Sequence, residues 1–263
     1  MLKKATRTLL DKIRILPYVR SVVSTHNEQK KYKEFLKEFA FFKNESAKAQ
    51  SRFDLNNFSI YPQLEDKTVN TSFEPHYLYH PAWAARVLAS TKPAKHIDIS
   101  STITFCSVVS AFILLEFYDY RPADIKLSNL TTGHQDLTNL TFDSGSIQSL
   151  SCMHTLEHIG LGRYGDSIDY DGDLKAIEQL KRVLALDGNL LIVVPIGRPK
   201  IEFNAHRIYA YRQIIQYFAP LKLVEFTLIP DDYEARGLVI NAAEEDADAQ
   251  NWGCGCFWFK KTL

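Results

Sequence analysis

Long apolar runs are missing from this sequence: no stretch of its 263 residues approaches the ~20 consecutive apolar residues of a bilayer-spanning helix. Cysteine is almost as scarce. Cys106, Cys152, Cys254 and Cys256 are too few and too unevenly spaced for a disulfide scaffold, and Cys254-Gly255-Cys256 has no second Cys or His pair at zinc-ribbon spacing. No metal site is expected on these grounds. An excess of charge of either sign is also absent, since 31 basic residues balance 31 acidic ones. No global field therefore draws the chain to nucleic acid, and no nucleic-acid partner is expected.

What is present suits a buried core, because 46% of the residues are hydrophobic and the length fits one large domain, with or without an extension. Between Met1 and Arg20, six basic residues face only Asp11 and alternate with Leu9, Leu10, Ile13, Ile15 and Leu16. This is a basic amphipathic segment, too short and interrupted in its apolar runs to be a signal peptide. The chain is expected in the cytoplasm, with residues 1–20 either docked on protein or resting on an anionic membrane surface. From Lys30 to Phe42, the apolar Tyr32, Phe35, Leu36, Phe39 and Phe42 share one helical face. Periodicity fades between Asn44 and His80, which divides the chain into a helical extension, residues 1–75, and a core, residues 76–263.

Short β-type runs and helical ones alternate through the core. A helix is expected from Pro81 to Ala89, then strands at Lys95–Ile99, Phe112–Tyr118, Ile125–Leu130 and Ile147–Cys152, with a helix at Thr104–Ala111. The strongest helix is Asp173–Leu186, capped by Asp171 or Asp173 and stopped at Gly188. A buried strand at Asn189–Val194, a helix at Ile208–Phe218 and strands at Leu221–Leu228 and Cys256–Lys260 follow. Such alternation implies an α/β fold with a mostly parallel sheet covered on both faces.

Ligands of open parallel sheets sit beyond the carboxyl ends of the strands, so the loops there matter most. After the first strand comes Asp98-Ile99-Ser100-Ser101-Thr102; after the second, 21 residues beyond Asp98, comes Asp119-Tyr120-Arg121. A carboxylate ~20 residues past the first loop is where such folds place the acceptor for ribose hydroxyls. Asp136-Leu137 follows the third strand, and Met153-His154-Thr155-Leu156-Glu157-His158 the fourth.

From His96 to Lys260 the chain resembles the class I S-adenosylmethionine-dependent methyltransferases, most visibly in Ser146–Ile159 and in Leu180–Pro195, which has the form of that fold's helix, turn and fifth strand. More narrowly, it is similar to a family of uncharacterised bacterial methyltransferase-like proteins linked to surface-polysaccharide genes. The matching residues there are Gly160–Gly165, Asp171–Asp173, Phe203–Arg207 and Gly253–Phe259. The resemblance implies a seven-stranded, Rossmann-like sandwich, S-adenosylmethionine as cofactor, and a small-molecule or glycan acceptor. It also implies that Asp98 ends the first motif, that Asp119 binds the ribose, and that Asp136 reaches the adenine amine. Tyr120, Arg121 and Leu137 adjoin these acids, and Cys152 and His154 mark the methionine end.

The departure lies in the glycines: Ser100, Thr102 and Thr104 stand where the larger group has Gly-x-Gly-x-Gly, with Ser101 between the first two. Glycine there tolerates unusual dihedrals and lets the backbone approach the cofactor. Loss of that clearance leaves open a second reading, a non-catalytic binding or assembly protein that kept the sheet and surrendered the cofactor.

His154-Thr-Leu-Glu157-His158 also has the H-x-x-E-H form of an inverted zinc-protease motif, which needs both histidines on one helical face. Arg163, Tyr164, Asp166 and Asp173 lie in or beside a Gly-containing loop on the ligand side, and Arg198, Asn204 and Arg207 follow the fifth strand. These are the candidate substrate-binding residues, with the arginines suited to phosphate or carboxylate. His158, His206 and Glu157 are the candidate catalytic groups, either histidine serving as base toward a hydroxyl.

Overall fold

The computed structural model describes residues 27–48, 53 and 59–262. The basic amphipathic segment 1–20 lies outside them. The chain divides into two compact units, Met1–Ser72 and Phe73–Leu263. In the first, residues 27–48 form helix α1, on which Tyr32 and Phe35 stack with ring centroids 6.0 Å apart. The helix is tied to the following segment by Lys31–Glu65 and Lys67–Glu38 ion pairs.

The second unit is built on an eight-stranded sheet. Its strands are β1 (Lys95–Ile99), β2 (Leu114–Asp119), β3 (Leu130–His134), β4 (Ile147–Met153), β5 (Leu184–Ile196), β8 (Lys222–Ile229), β9 (Val239–Ile240) and β10 (Gly253–Lys260). Strands β6 (Lys200–Glu202) and β7 (His206–Ile208) make a separate hairpin. The spatial order is β3-β2-β1-β4-β5-β10-β8-β9. The first five run parallel, and β10 is antiparallel to both its neighbours. Order reverses between β1 and β4, where such sheets open a ligand crevice. The eighth strand, against the seven expected, is the two-residue β9 at the edge.

Helices cover both faces. On one, α2 (Pro75–Thr91) and α3 (Ile103–Val109) bury Trp83, Leu88, Phe105 and Val109 against Leu115, Phe117 and Val193. On the other, α4 (Gly172–Val183) and α5 (Tyr211–Tyr217) bury Ile177, Leu180, Val183 and Ile214 against Leu150, Ile192 and Phe257. Two short helices, α6 (Tyr233–Arg236) and α7 (Glu244–Ala249), complete the unit. No described helix is long and apolar enough to cross a membrane.

Several boundaries differ from those the sequence suggests. Helix α2 starts at Pro75, not Pro81, because Glu74 caps it by accepting the Tyr77 N–H at 2.6 Å and Pro75 takes a first-turn position that needs no N–H partner. Ile125–Leu130 is not a strand: β3 begins at Leu130, where Leu115–Leu130 registers it with β2. Helix α4 ends at Val183 because Leu184 already pairs with Ile147 of β4. Asp171 is its N-cap without a side-chain cap bond. The left-handed residue of the next turn is Asp187 (φ 60), whereas Gly188 is needed for close approach, since a Cβ there would lie 2.8 Å from the Ala185 carbonyl oxygen.

A buried polar chain crosses the middle of the sheet. His96 on β1 bonds Ser149 Oγ and Ser151 Oγ on β4, each at 2.8 Å, and the Ser151 hydroxyl donates to Asp98. Burial raises Asp98 to about 6, although Ser101 and Ser151 donate hydrogen bonds to it, and burial lowers His96 to about 3. Burial thus shifts both groups toward their neutral forms relative to the unfolded chain.

For Asp98 the folded value lies above the unfolded one. Its contribution is present in full below the unfolded carboxylate value of about 3.9 and is lost as pH rises through about 6. Denaturant titrations of the wild type and Asp98→Asn across this window isolate that group. The stability of the wild type relative to the variant is expected to fall by about 2 kcal/mol between pH 4 and 7.

Candidate functional site

A cavity of about 270 Å³ opens beyond the carboxyl ends of the parallel strands. The loop after β1 contributes Ser100, the end of β2 contributes Asp119, Tyr120 and Arg121, and the segment after β3 contributes Asp136 and Leu137. His154 and His158 line it after β4, and Tyr164 and Asp166 come from the loop that precedes α4. The fold thus brings ten of the expected site residues to one crevice.

The acids are set by short local turns. Asp119 Oδ1 accepts the Arg121 N–H at 2.7 Å, and Asp136 Oδ1 accepts both the amide of Thr138 at 2.8 Å and its hydroxyl at 2.7 Å. Among the described residues, neither Oδ2 has a hydrogen-bond partner, so each carboxylate keeps an acceptor for a ligand.

The glycine-poor loop is rewired, not vacated. Ser100 takes the left-handed conformation (φ 59) that a glycine would otherwise supply, with its N–H donating to the Tyr118 carbonyl at 2.7 Å and its own carbonyl accepting from Thr155 Oγ1 at 2.7 Å. Ser101 gives its N–H to Asp98 Oδ1 at 3.0 Å, and its Oγ accepts the Met153 N–H at the end of β4, also at 3.0 Å. Thr102 caps α3 by accepting the Phe105 N–H. Of Ser100, Ser101 and Thr102, only Ser100 borders the cavity; the side chains of the other two hold β4 and α3.

The loop from Gly160 to Asp171 forms the outer wall. Asp166 gathers the amides of Gly160 at 2.8 Å, Gly162 at 3.3 Å and Tyr164 at 3.1 Å, and Asp169 pairs with Lys175 at 2.5 Å. The acids of this loop thus serve its own backbone and α4. Gly160 (φ 78) is obligatory, because a Cβ would lie 2.0 Å from the Asp169 carbonyl oxygen. Arg121 lies over the Tyr164 ring at 4.6 Å and Arg163 lies over it at 5.1 Å. These cation–π contacts fasten the loop to the end of β2.

The remaining candidates lie elsewhere. Asp98, Cys152 and Glu157 are buried behind the cavity wall. Arg207 donates to the Ile159 and Tyr170 carbonyls at 2.7 and 3.0 Å and pairs with Asp173 at 3.5 Å, while Tyr209 donates to Asp173 at 2.8 Å. That pair anchors the loop from behind. Arg163 and Asn204 bond the Ala205 and Leu161 carbonyls, at 3.3 and 3.5 Å, and Arg198 is exposed. His206 packs on Trp252 with ring centroids 4.1 Å apart, and its Nε2 lies 3.3 Å from Glu202 Oε2 without the alignment of a hydrogen bond.

The H-x-x-E-H segment is not an α-helix: Leu156–His158 is a single 3-10 turn, and His154 precedes it with φ 55. The two histidines therefore do not share a helical face, although both flank Glu157 Oε1, His154 Nδ1 at 2.8 Å and His158 Nε2 at 3.7 Å. His158 Nδ1 donates to the Ala205 carbonyl at 2.6 Å, whereas His154 Nδ1 donates to Glu157 Oε1 at 2.8 Å. Burial alone would raise Glu157, but the bond from His154 and the proximity of both histidines outweigh it and leave the carboxyl below its usual value.

Sequence reasoning missed several residues. Thr138 and Thr155 border the cavity, and the Asp136-x-Thr138 turn was a local signal for the first. His76 and His80 pack against His154, with the rings of His76 and His154 stacked at 5.4 Å, and Trp252 stacks against His76 at 5.8 Å. No spacing pattern announced them.

The fold is that of the class I methyltransferases, a Rossmann-like sandwich with an antiparallel strand inserted after the parallel half. A family described as "Caenorhabditis protein of unknown function, DUF268" matches residues 102–228. No curated protein matches. In structure the chain is similar to a Bacillus halodurans protein assigned as a methyltransferase, with a TM-score of 0.50, 12% identity, and 70% of this chain and 99% of that one covered. It is also similar to the N-methyltransferase NodS of Bradyrhizobium japonicum in complex with S-adenosylhomocysteine (0.49, 13%, 70% and 86%). A third is the 1,6-didemethyltoxoflavin-N1-methyltransferase of Burkholderia thailandensis (0.49, 11%, 70% and 79%). At such identities the likeness is one of fold.

Glycine substitutions at Ser100, a glycine position of the motif, and at its neighbour Ser101 should act in opposite directions. Ser100→Gly removes the cost of a left-handed side-chain residue and is expected to stabilise by about 1 kcal/mol. Ser101→Gly leaves the Met153 N–H without its partner and should destabilise by about 1–3 kcal/mol. Urea denaturation of the two variants reads both signs.

Proposed function

We propose that the chain is an S-adenosylmethionine-dependent methyltransferase whose acceptor is a small molecule. The observation that carries this is the pair of carboxylates, Asp119 and Asp136, standing at the ends of adjacent strands on one cavity at the switch point of the sheet. The residues present fit the nucleoside: Asp119 can accept ribose hydroxyls, Asp136 an exocyclic amine, and Leu137 offers the base an apolar wall. The rewired loop fits it too, since Ser101 and Thr102 direct their hydroxyls to neighbouring backbone amides away from the crevice. When bound, the cofactor supplies an electrophilic methyl group.

The chain's own groups then position the acceptor more than they activate it, which suits an in-line displacement. His158 is the base best placed, because it lines the cavity, its Nδ1–H is held by Ala205, and its Nε2 lies 3.7 Å from Glu157 Oε1, whose carboxylate would stabilise the proton it takes up. His206 lies outside the lining. The narrower resemblance over Gly160–Gly165 and Phe203–Arg207 supports a carbohydrate or sugar-nucleotide hydroxyl of surface-glycan biosynthesis as the acceptor. Arg121 and Arg163, both over the Tyr164 ring, suit it by offering two cations for a phosphate. Four free, buried cysteines support a reducing, cytoplasmic setting.

Calorimetry with S-adenosylhomocysteine tests the reading. Saturable binding is expected for the wild type, weakened about ten- to a hundredfold in Asp119→Ala, as for a lost hydrogen bond to a charged group. A folded wild type that gives no saturable signal at two temperatures would return the chain to the non-catalytic alternative.

A further inference from the structure

Behind the cavity wall, three segments remote in sequence converge on one point: the first turn of α2 with His76, the residue after β4 with His154, and the start of strand β10 with Cys254. One ligand atom from each lies within 4.8 Å of the other two, and all three residues are buried. His154 Nε2 is 3.4 Å from Cys254 Sγ. We propose that His76, His154 and Cys254 form a site for a borderline-soft divalent cation of the Zn²⁺ class.

Three features point to a cation beyond the proximity itself. The donor set is two imidazoles and a thiol, which suits Zn²⁺ and not the all-oxygen preference of Mg²⁺ or Ca²⁺. Each imidazole has its outward nitrogen fixed by an oxygen acceptor. His154 Nδ1 donates to Glu157 Oε1 at 2.8 Å and His76 Nε2 donates to the Trp252 carbonyl at 3.1 Å. This is the outer-shell arrangement that sets the tautomer of a metal-bound histidine and turns its lone pair inward. Finally, a third imidazole stands beside the cluster with an unsatisfied nitrogen. His80 is completely buried, its Nδ1 donates to the His76 carbonyl at 2.6 Å, its ring centroid is 5.0 Å from that of His154, and its Nε2 has no partner. A buried polar atom of this kind is rare without a ligand nearby.

Three protein donors leave a tetrahedral cation one open position. Because His154 also lines the cavity, the site borders the place where an acceptor would lie, and the cation would offer that position to an oxygen or sulfur of the acceptor. The site stands independently of the methyltransferase reading, since none of its donors is one of the two nucleoside-facing acids.

The test is a Co²⁺ titration of the full-length protein after treatment with a chelator and dialysis. One equivalent is expected to bind, with a thiolate-to-cobalt charge-transfer band in the near ultraviolet and visible bands of four-coordinate intensity, all displaced by Zn²⁺. Cys254→Ser should abolish the charge-transfer band, and Glu157→Gln should weaken binding about ten- to a hundredfold through loss of the outer-shell partner. Failure of the folded wild type to bind a stoichiometric equivalent overturns the proposal. So does a charge-transfer band that survives Cys254→Ser. Since the wild-type titration decides by itself, a variant that fails to fold does not shelter the idea.

Discussion

The carboxyl of Asp98, buried at the end of β1, is the anchor of the ligand side of the sheet. It accepts the Ser101 amide and the Ser151 hydroxyl, so it fixes the turn after β1 and locks β1 to β4 across the switch point. Ser101 in turn holds the Met153 amide, and Ser100 and Thr155 close the link from the other side. The position of His154, and with it the inner wall of the cavity, follows from these bonds. Hydrogen bonding of this density is what allows a side chain to stand in a left-handed turn where a glycine would meet less resistance.

Much of the fold was legible because its strands are buried on both faces and its best helix has a clean apolar stripe. The run through Leu190–Val194 is continuous apolar sequence, while Lys95–Ile99 and Ile147–Met153 place Ile97, Ile99, Leu150, Cys152 and Met153 beside the buried polar His96, Asp98, Ser149 and Ser151 at the centre of the sheet. Strand β3 was not legible in the same way. It is at the sheet edge, only Leu130 is buried along it, and Leu-Thr-Thr-Gly-His does not read as a core strand. The start of α2 was obscured by two prolines, and only the side-chain cap from Glu74 decides between them.

The candidate site divides along similar lines. Residues placed at strand ends, such as Asp119 and Asp136, follow from topology once the alternation is recognised, because an α/β sheet has one ligand edge. Residues that reach each other by tertiary folding alone do not. Asp173 and Arg207 look free in sequence, yet they meet beneath the outer loop, where Asp173 orients Arg207 and Arg207 donates to the Ile159 and Tyr170 carbonyls. His76 and Cys254 come from opposite ends of the second unit and meet at His154, with no motif spacing to announce them. The H-x-x-E-H pattern concealed this, since it suggested two histidines on one helical face, whereas the 3-10 turn sets them on either side of Glu157 and leaves His154 Nε2 facing Cys254.

A serine- and threonine-built loop shapes the proposed nucleoside site while the Ser101 and Thr102 side chains turn away from it. A crystal structure of the protein grown with saturating S-adenosylhomocysteine tests this most directly. The account predicts ribose hydroxyls on Asp119, the adenine amine at Asp136, and the Ser101 hydroxyl still accepting the Met153 N–H. A cavity without the nucleoside, or a Ser101 side chain turned into the crevice with β4 released, would contradict it.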